Sequence, residues 1–138
     1  MGALLTSVAW IFFNAGIASA YGESCNAARS AANTVLASSA SACMVVIARP
    51  VFNIFGKEES SAFDPATLMS CQLAGLVSIS SSTCLVGLVP SVIIGGVASI
   101  CFLISKRLIN RLEIDDPLNI VSIHLVCGLW GLLAAGIF

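Results

Sequence analysis

Between Asp64 and Lys106 the chain runs for 41 residues without a charged side chain. An α-helix needs about 20 apolar residues to cross the hydrocarbon core of a bilayer, so that run holds two crossings. Of the 138 residues, 58% are hydrophobic and 9% charged, too little charge to clothe a water-soluble globule. The six basic and seven acidic residues fall mainly between apolar runs and leave a net charge of -1. No basic patch exists to read a phosphate backbone, which argues against a nucleic-acid partner.

Cutting at charges and prolines gives five spans and an all-α fold: a polytopic bundle of five transmembrane helices. The spans are predicted over about 2–21, 30–48, 67–85, 91–105 and 117–138. The long run divides at STCLVGLVP, where Gly87 and Pro90 punctuate it. The last span opens at Asp115-Asp116-Pro117, with Asp116 as N-cap and Pro117 in the first helical position, where its missing N–H costs nothing.

Loop charge sets the sidedness, because basic residues of short loops stay on the cytoplasmic side. Arg49 and Lys57 lie between the second and third spans, and Lys106, Arg107 and Arg111 between the fourth and fifth; the opposite loops hold only Arg29. The first span therefore enters from the cytoplasm and the last ends outside. Ala18-Ser19-Ala20 resembles a signal-peptidase site, but no basic segment precedes it and Asn14 interrupts the apolar stretch.

Small residues recur every fourth position: Ser30, Thr34, Ser38 and Ala42; Ser70, Ala74, Ser78 and Ser82; Ser91, Gly95 and Ser99. Such ladders let helix backbones approach closely in lipid, where apolar surface alone gives no drive to associate. The six cysteines form no CxxC and keep no zinc-ligand spacing, so neither a metal nor a redox motif is expected. Five of them fall inside apolar runs, where a free thiol behaves as a small hydrophobe.

The only histidine, His124, sits in EIDDPLNIVSIHLVCGLWG, and nothing from Leu118 onward is charged. Helical spacing puts it on a stripe with Pro117, Cys127, Gly128, Gly131 and Ala135. At about 1.5 Å per residue it lies roughly 12 Å into a crossing of about 30 Å. An ionisable group there faces a cavity or a partner. Position alone leaves two readings open, a pore group or a core histidine satisfied by Ser122 or by a serine of another span.

The segment IDDPLNIVSIHLVCGLWGLLAAGIF resembles the tenth helix of the ammonium transporter (Amt/Mep/Rh) superfamily, where DDP, a histidine segment and a terminal GxF recur. AWIFFNAG resembles the family's GWFGFNAG, Asn33-Thr34 its central NT, and Ala74 to Gly96 its AGLV…IIG segment. The order is kept across the whole chain, and the Amt branch is the nearer one. The resemblance implies a fold of roughly eleven helices made of two inverted repeats, with one pore per subunit in a homotrimer, multi-pass in the plasma membrane. It implies that this chain covers helices six to ten and, as a fragment, is inactive alone.

Residue by residue, His124 resembles one of the family's paired pore histidines, Phe13 a phenylalanine of its aromatic gate, and Trp10 the tryptophan one turn earlier. Trp10, Phe13 and Ile17 fall on one helical stripe, as a lumen-facing set requires. The family's vestibule serine aligns with Ile17. A two-residue shift would bring in Ser19, turned by about 200° around the helix. Asp115 and Asp116 read as helix caps, and Asn119 stands where some members carry a second carboxylate.

The activity so implied is ammonium/ammonia transport through a hydrophobic channel, without catalysis, cofactor or metal. Ammonium gives up its proton near the aromatic gate and ammonia passes beside the histidines. Two rivals remain at this stage. An intramembrane hydrolase using a serine with His124 lacks a GxSxG-type nucleophile turn. A non-transporting membrane scaffold or partner subunit would fit half a pore.

Overall fold

A computed structural model describes residues 2–22, 25–54 and 64–138, with side chains of 52–54 excepted. Lys57, counted above among the loop charges, lies outside the described residues. The architecture is all-helical. The elements are α1 (Gly2–Ala20), α2 (Ala27–Ile54), α3 (Pro65–Ile79), α4 (Leu88–Arg111), a π-helical segment (Val121–Val126) and α5 (Cys127–Ile137). By length and apolarity, Gly2–Ala20, Ala27–Val51 and Leu88–Arg111 can each cross a membrane; Pro65–Ile79 and Val121–Ile137 are shorter apolar helices.

Helix ends differ from the expected spans for identifiable reasons. α2 runs through Pro50 to Ile54, well past residue 48, because a single proline removes one backbone donor without ending a helix that its neighbours hold. α3 opens two residues early. Asp64 is its N-cap, accepting from the Ala66 and Thr67 amides at 3.3 and 3.1 Å, and Pro65 follows in the first turn. α3 also stops at Ile79 instead of 85, because Ser80, Ser81, Ser82 and Thr83 offer hydroxyls that compete with the helical ladder and the chain turns there. α4 extends from Leu88 to Arg111 rather than 91–105. Gly87 is its N-cap, and Pro90 falls in the first turn, where its missing N–H is harmless.

The largest departure is in the fifth span. Pro117 is not its first helical residue: the chain turns through Pro117 and Leu118, and Asn119 takes a positive φ of 54° before the helix starts at Ile120. Asparagine visits that left-handed region more readily than most residues. Asp116 reaches over the turn, its two carboxylate oxygens accepting from the Ile120 and Val121 amides at 2.8 and 3.0 Å.

Polar side chains tie the helices. Asn14 Nδ2 donates to Thr34 Oγ1 at 3.0 Å, and Ser30 Oγ donates to the Asn14 carbonyl at 3.1 Å, joining α1 to α2. Ser41 donates to the Cys71 carbonyl at 2.5 Å and lies 2.8 Å from Ser99 Oγ, so one hydroxyl links α2, α3 and α4. Ser78 donates to the Cys127 carbonyl at 2.9 Å and Trp130 Nε1 to the Ile94 carbonyl at 3.0 Å, seating α5. In hydrocarbon such bonds contribute because a lone hydroxyl or amide has no water to turn to.

The small-residue ladders lie largely inside. Ser30, Thr34, Ser38, Ala74, Ser78, Ser82, Ser91, Gly95 and Ser99 are buried, and Ala42 and Ser70 sit at the margins. Phe102, Leu76, Ile79, Ile94, Val45 and Val86 fill the space between. Cys84 contradicts the free-thiol expectation for cysteines of the apolar runs. Cys25, in the α1–α2 connection, and Cys84, in the α3–α4 turn, are joined in a disulfide with 5.2 Å between their Cα atoms. The apolar run around Cys84 concealed this because Cys84 lies in the turn rather than inside a span.

At the opposite end Asp64 also accepts from Thr67 Oγ1 at 2.7 Å and lies 3.8 Å from Arg49 Nη1. The Thr67 hydroxyl, then the Thr67 and Ala66 amides, then the Arg49 charge hold its carboxyl below the ordinary value against its partial burial. A depressed carboxylate contributes stability that is complete above the unfolded value of about 3.9 and is lost as pH falls through the folded value. Thermal denaturation in detergent from about pH 6 to pH 3 is therefore expected to show an acid limb that Asp64→Ala flattens. At neutral pH the same variant should cost about 1 kcal/mol through the lost cap.

Candidate functional site

α1 is the most open helix of the bundle. It buries Ser7, Asn14 and Ala18, while Leu5, Phe12 and Phe13 are more than half exposed. The buried trio repeats at seven and four, which is the stripe α1 turns to α2 and α3. At its margin Trp10 is half-buried and reaches across the bundle. Its Nε1 donates to Ser80 Oγ at 2.8 Å, just past the end of α3, and its indole stacks on the His124 imidazole with centroids 6.5 Å apart and planes 25° from parallel. Ser80 in turn donates to the Leu76 carbonyl at 2.8 Å, so its hydroxyl is oriented from behind. Three elements thus converge on one aromatic, imidazole and hydroxyl cluster.

His124 itself lies in the π-helical segment. The wider turn of a π-helix breaks the register assumed for a uniform α-helix, and π-segments often occur where a helix must present a side chain differently. The expected stripe accordingly divides: Cys127 and Gly131 are buried against the other helices, whereas His124 is exposed beside half-buried Gly128. Ser122, one proposed partner of the ring, is buried and accepts instead from Ser105 Oγ at 3.1 Å. Among the described residues no side chain hydrogen-bonds the imidazole.

Among the described residues, recesses line this side of the bundle. Thr6, Ala9, Trp10 and Phe13 surround one of about 370 Å³. His124, Ser80, Ser81, Val77 and Gly128 contribute to a second of about 370 Å³. The third, of about 410 Å³, holds Ile17 and Tyr21 with Ser80, Thr83 and the Cys25–Cys84 bond. Ile17 thus faces a recess, but Ser19 does not line it: the Ser19 hydroxyl donates to the Ala15 carbonyl at 3.0 Å on an exposed face. Asp115 and Asp116 stand apart, in the turn before the π-segment.

Sequence reasoning missed Ser80, Ser81 and Thr83, which were absorbed into a continuous third span. The signal available was the run SISSSTC, four serines and a threonine within seven residues. Among the described residues no group of histidine, cysteine and carboxylate side chains is placed to hold a metal.

The family model described as Ammonium Transporter Family matches residues 1–138. The chain belongs to that family. An ammonium transporter of Aquifex aeolicus is 32% identical over 139 residues, covering all of this chain and 31% of its own length. Ammonium transporter 2 of Schizosaccharomyces pombe is 30% identical over 138 residues, covering all of this chain and 25% of its own length. Ammonium transporter 1 member 4 of Arabidopsis thaliana is 28% identical over 152 residues, again across the whole chain and 29% of that relative. The chain spans less than a third of the length of these relatives. Family membership and the long apolar helices make it an integral membrane protein.

Proposed function

We propose that this chain supplies helices six to ten of an ammonium transporter of the Amt branch, and that its open aromatic and imidazole face is one wall of the conducting pore. The observation that carries the reading is the Trp10–His124 stack with Ser80 behind it. In the remaining helices a facing repeat would close the other wall and bring the second histidine, and three copies would assemble in the plasma membrane. Phe13, on the same stripe as Trp10, serves the aromatic gate.

On this reading the residues divide the work by chemistry. An aromatic face attracts ammonium by cation–π contact worth about 2 kcal/mol once desolvated. Ile17 contributes no acceptor at the vestibule. Apolar walls then refuse a hydrated ion, so ammonium leaves its proton near the gate and ammonia continues beside His124, whose two ring nitrogens serve as donor and acceptor. The step is passage, with no covalent bond to substrate.

The test is uptake of labelled methylammonium by nitrogen-starved cells. Cells expressing the five helices within a full-length transporter should accumulate label above background, and excess ammonium should suppress it. Cells expressing the 138-residue chain alone should stay at background. Full-length expression without uptake would reject the transport reading and favour the scaffold alternative.

A further inference from the structure

The third recess owes its shape to a turn fastened in two ways. Arg29, at the start of α2, donates through Nε and Nη2 to the Val86 carbonyl at 3.1 and 2.7 Å. One turn on, buried Asn33 donates through Nδ2 to the Thr83 and Val86 carbonyls at 2.9 and 3.0 Å. These bonds hold the α3–α4 turn over the head of α2. The Cys25–Cys84 disulfide then closes it covalently, linking positions 59 residues apart in sequence. The other four cysteines, Cys43, Cys71, Cys101 and Cys127, are free and belong to helices.

Placement of the bonded pair is informative. Both cysteines lie at the end of the bundle where α1 finishes and α2 begins, opposite the end that carries Arg49, Lys106, Arg107 and Arg111. Loop charge assigns the basic end to the cytoplasm. Disulfides persist on the oxidising side of a membrane and are rare on the reducing side. Two unrelated physical rules therefore point to the same sidedness.

We propose that Cys25–Cys84 is a redox latch on the non-cytoplasmic face, formed after insertion and holding the α3–α4 turn so that the recess beside Ile17 and Tyr21 keeps its walls. It forms by thiol–disulfide exchange with a disulfide-carrying oxidoreductase. One cysteine thiolate attacks the carrier disulfide and releases one carrier thiolate. The second cysteine thiolate then displaces the other carrier sulfur, so two protons and two electrons leave the chain and the carrier departs as a dithiol. A dithiol reductant on that side reverses both steps and leaves the Arg29 and Asn33 bonds in place. This proposal rests on sidedness and not on ammonium passage, so a failed uptake assay and a failed latch are separate results.

The test counts thiols on the membrane-inserted 138-residue chain with a polyethylene-glycol maleimide after denaturation. Four adducts are expected without reductant and six with it; six without reductant would overturn the latch. Cys25→Ser should give five adducts without reductant, and three would mean that Cys84 pairs elsewhere. In right-side-out vesicles an impermeant phosphine should release the pair from outside, whereas a requirement for permeabilisation would overturn the sidedness. Reduction should shorten the lifetime of the detergent-solubilised folded chain several-fold and leave Cys25→Ser/Cys84→Ser, already short-lived, unmoved. Equal lifetimes before and after reduction would overturn the holding role.

Discussion

Gly95→Val is expected to leave little folded chain in detergent, with a loss of stability of about 3 kcal/mol or more, at the upper end of overpacking effects. The reason is what a Cβ would meet. At Gly95 it would fall far inside van der Waals contact distance of the Ala37 carbonyl oxygen, carbonyl carbon and Cα, all backbone atoms of α2. A flexible side chain can swing away from such a clash. A helix backbone cannot, and the whole of α4 must move outward instead. Gly75 of α3 presses on the same carbonyl, where a Cβ would come within 2.7 Å of both the Ala37 oxygen and Ser41 Cβ. Ala37 is therefore pinched from two sides, and displacing α4 also withdraws Ser99 from Ser41. The control is Gly16→Ala on α1, where nothing lies within 4 Å of the added carbon. That change should stay within about 0.5 kcal/mol, or stabilise slightly through helix propensity. Equal thermal midpoints for the Gly95 and Gly16 variants would show that α2 and α4 do not pack through this contact.

The same glycine marks what can be read from a sequence like this one. The Ser91, Gly95, Ser99 ladder was visible as a pattern and is buried throughout, because close approach in lipid demands small residues at helical spacing. The pattern does not say which helix it meets. That required Ala37, which belongs to no quoted ladder. The five helices were legible because charge and proline interrupt hydropathy sharply. Their ends were less so: Ser80 to Thr83 look apolar enough in a sliding window yet turn the chain, and Asn119 takes a left-handed conformation that no hydropathy pattern reveals.

The candidate site was legible only in part, and for a related reason. Trp10, Phe13 and His124 could be named from motif resemblance, but their mutual placement depends on a π-helical turn that changes which residues share a face with His124. A uniform α-helical register places His124 with the buried Cys127 and Gly131. The wider turn leaves it on the open side, in stacking distance of Trp10. Ser80 escaped notice because a serine run at a helix end has an ordinary structural explanation. Cys25 and Cys84 escaped because disulfide connectivity depends on loop proximity, and their separation of 59 residues carries no hint of it.

The second large effect concerns His124→Ala in a full-length transporter that includes these helices. Transport of methylammonium is expected to fall by roughly tenfold to a hundredfold, which corresponds to the loss of a hydrogen bond worth about 1.5 to 3 kcal/mol to a polar species in a dry pore. The fold should hardly notice. The imidazole is exposed, no side chain hydrogen-bonds it among the described residues, and its recorded partner is the Trp10 ring at 6.5 Å. An aromatic pair of that kind contributes about 1 kcal/mol. A core histidine would behave in the opposite way, because removing a buried and satisfied ring leaves both a cavity and an orphaned partner, and the protein unfolds before its transport can be judged. Comparing the thermal midpoint with the uptake rate on the same preparation separates the two roles. His124→Gln sharpens the comparison, since its amide offers one donor group and one acceptor on a flexible stem and should recover part of the uptake without the stack. Trp10→Leu should disturb uptake while leaving Ser80 bonded to Leu76. Unchanged uptake and selectivity in His124→Ala, with the folded protein intact, would remove His124 from the pore and leave the Trp10 stack as packing alone.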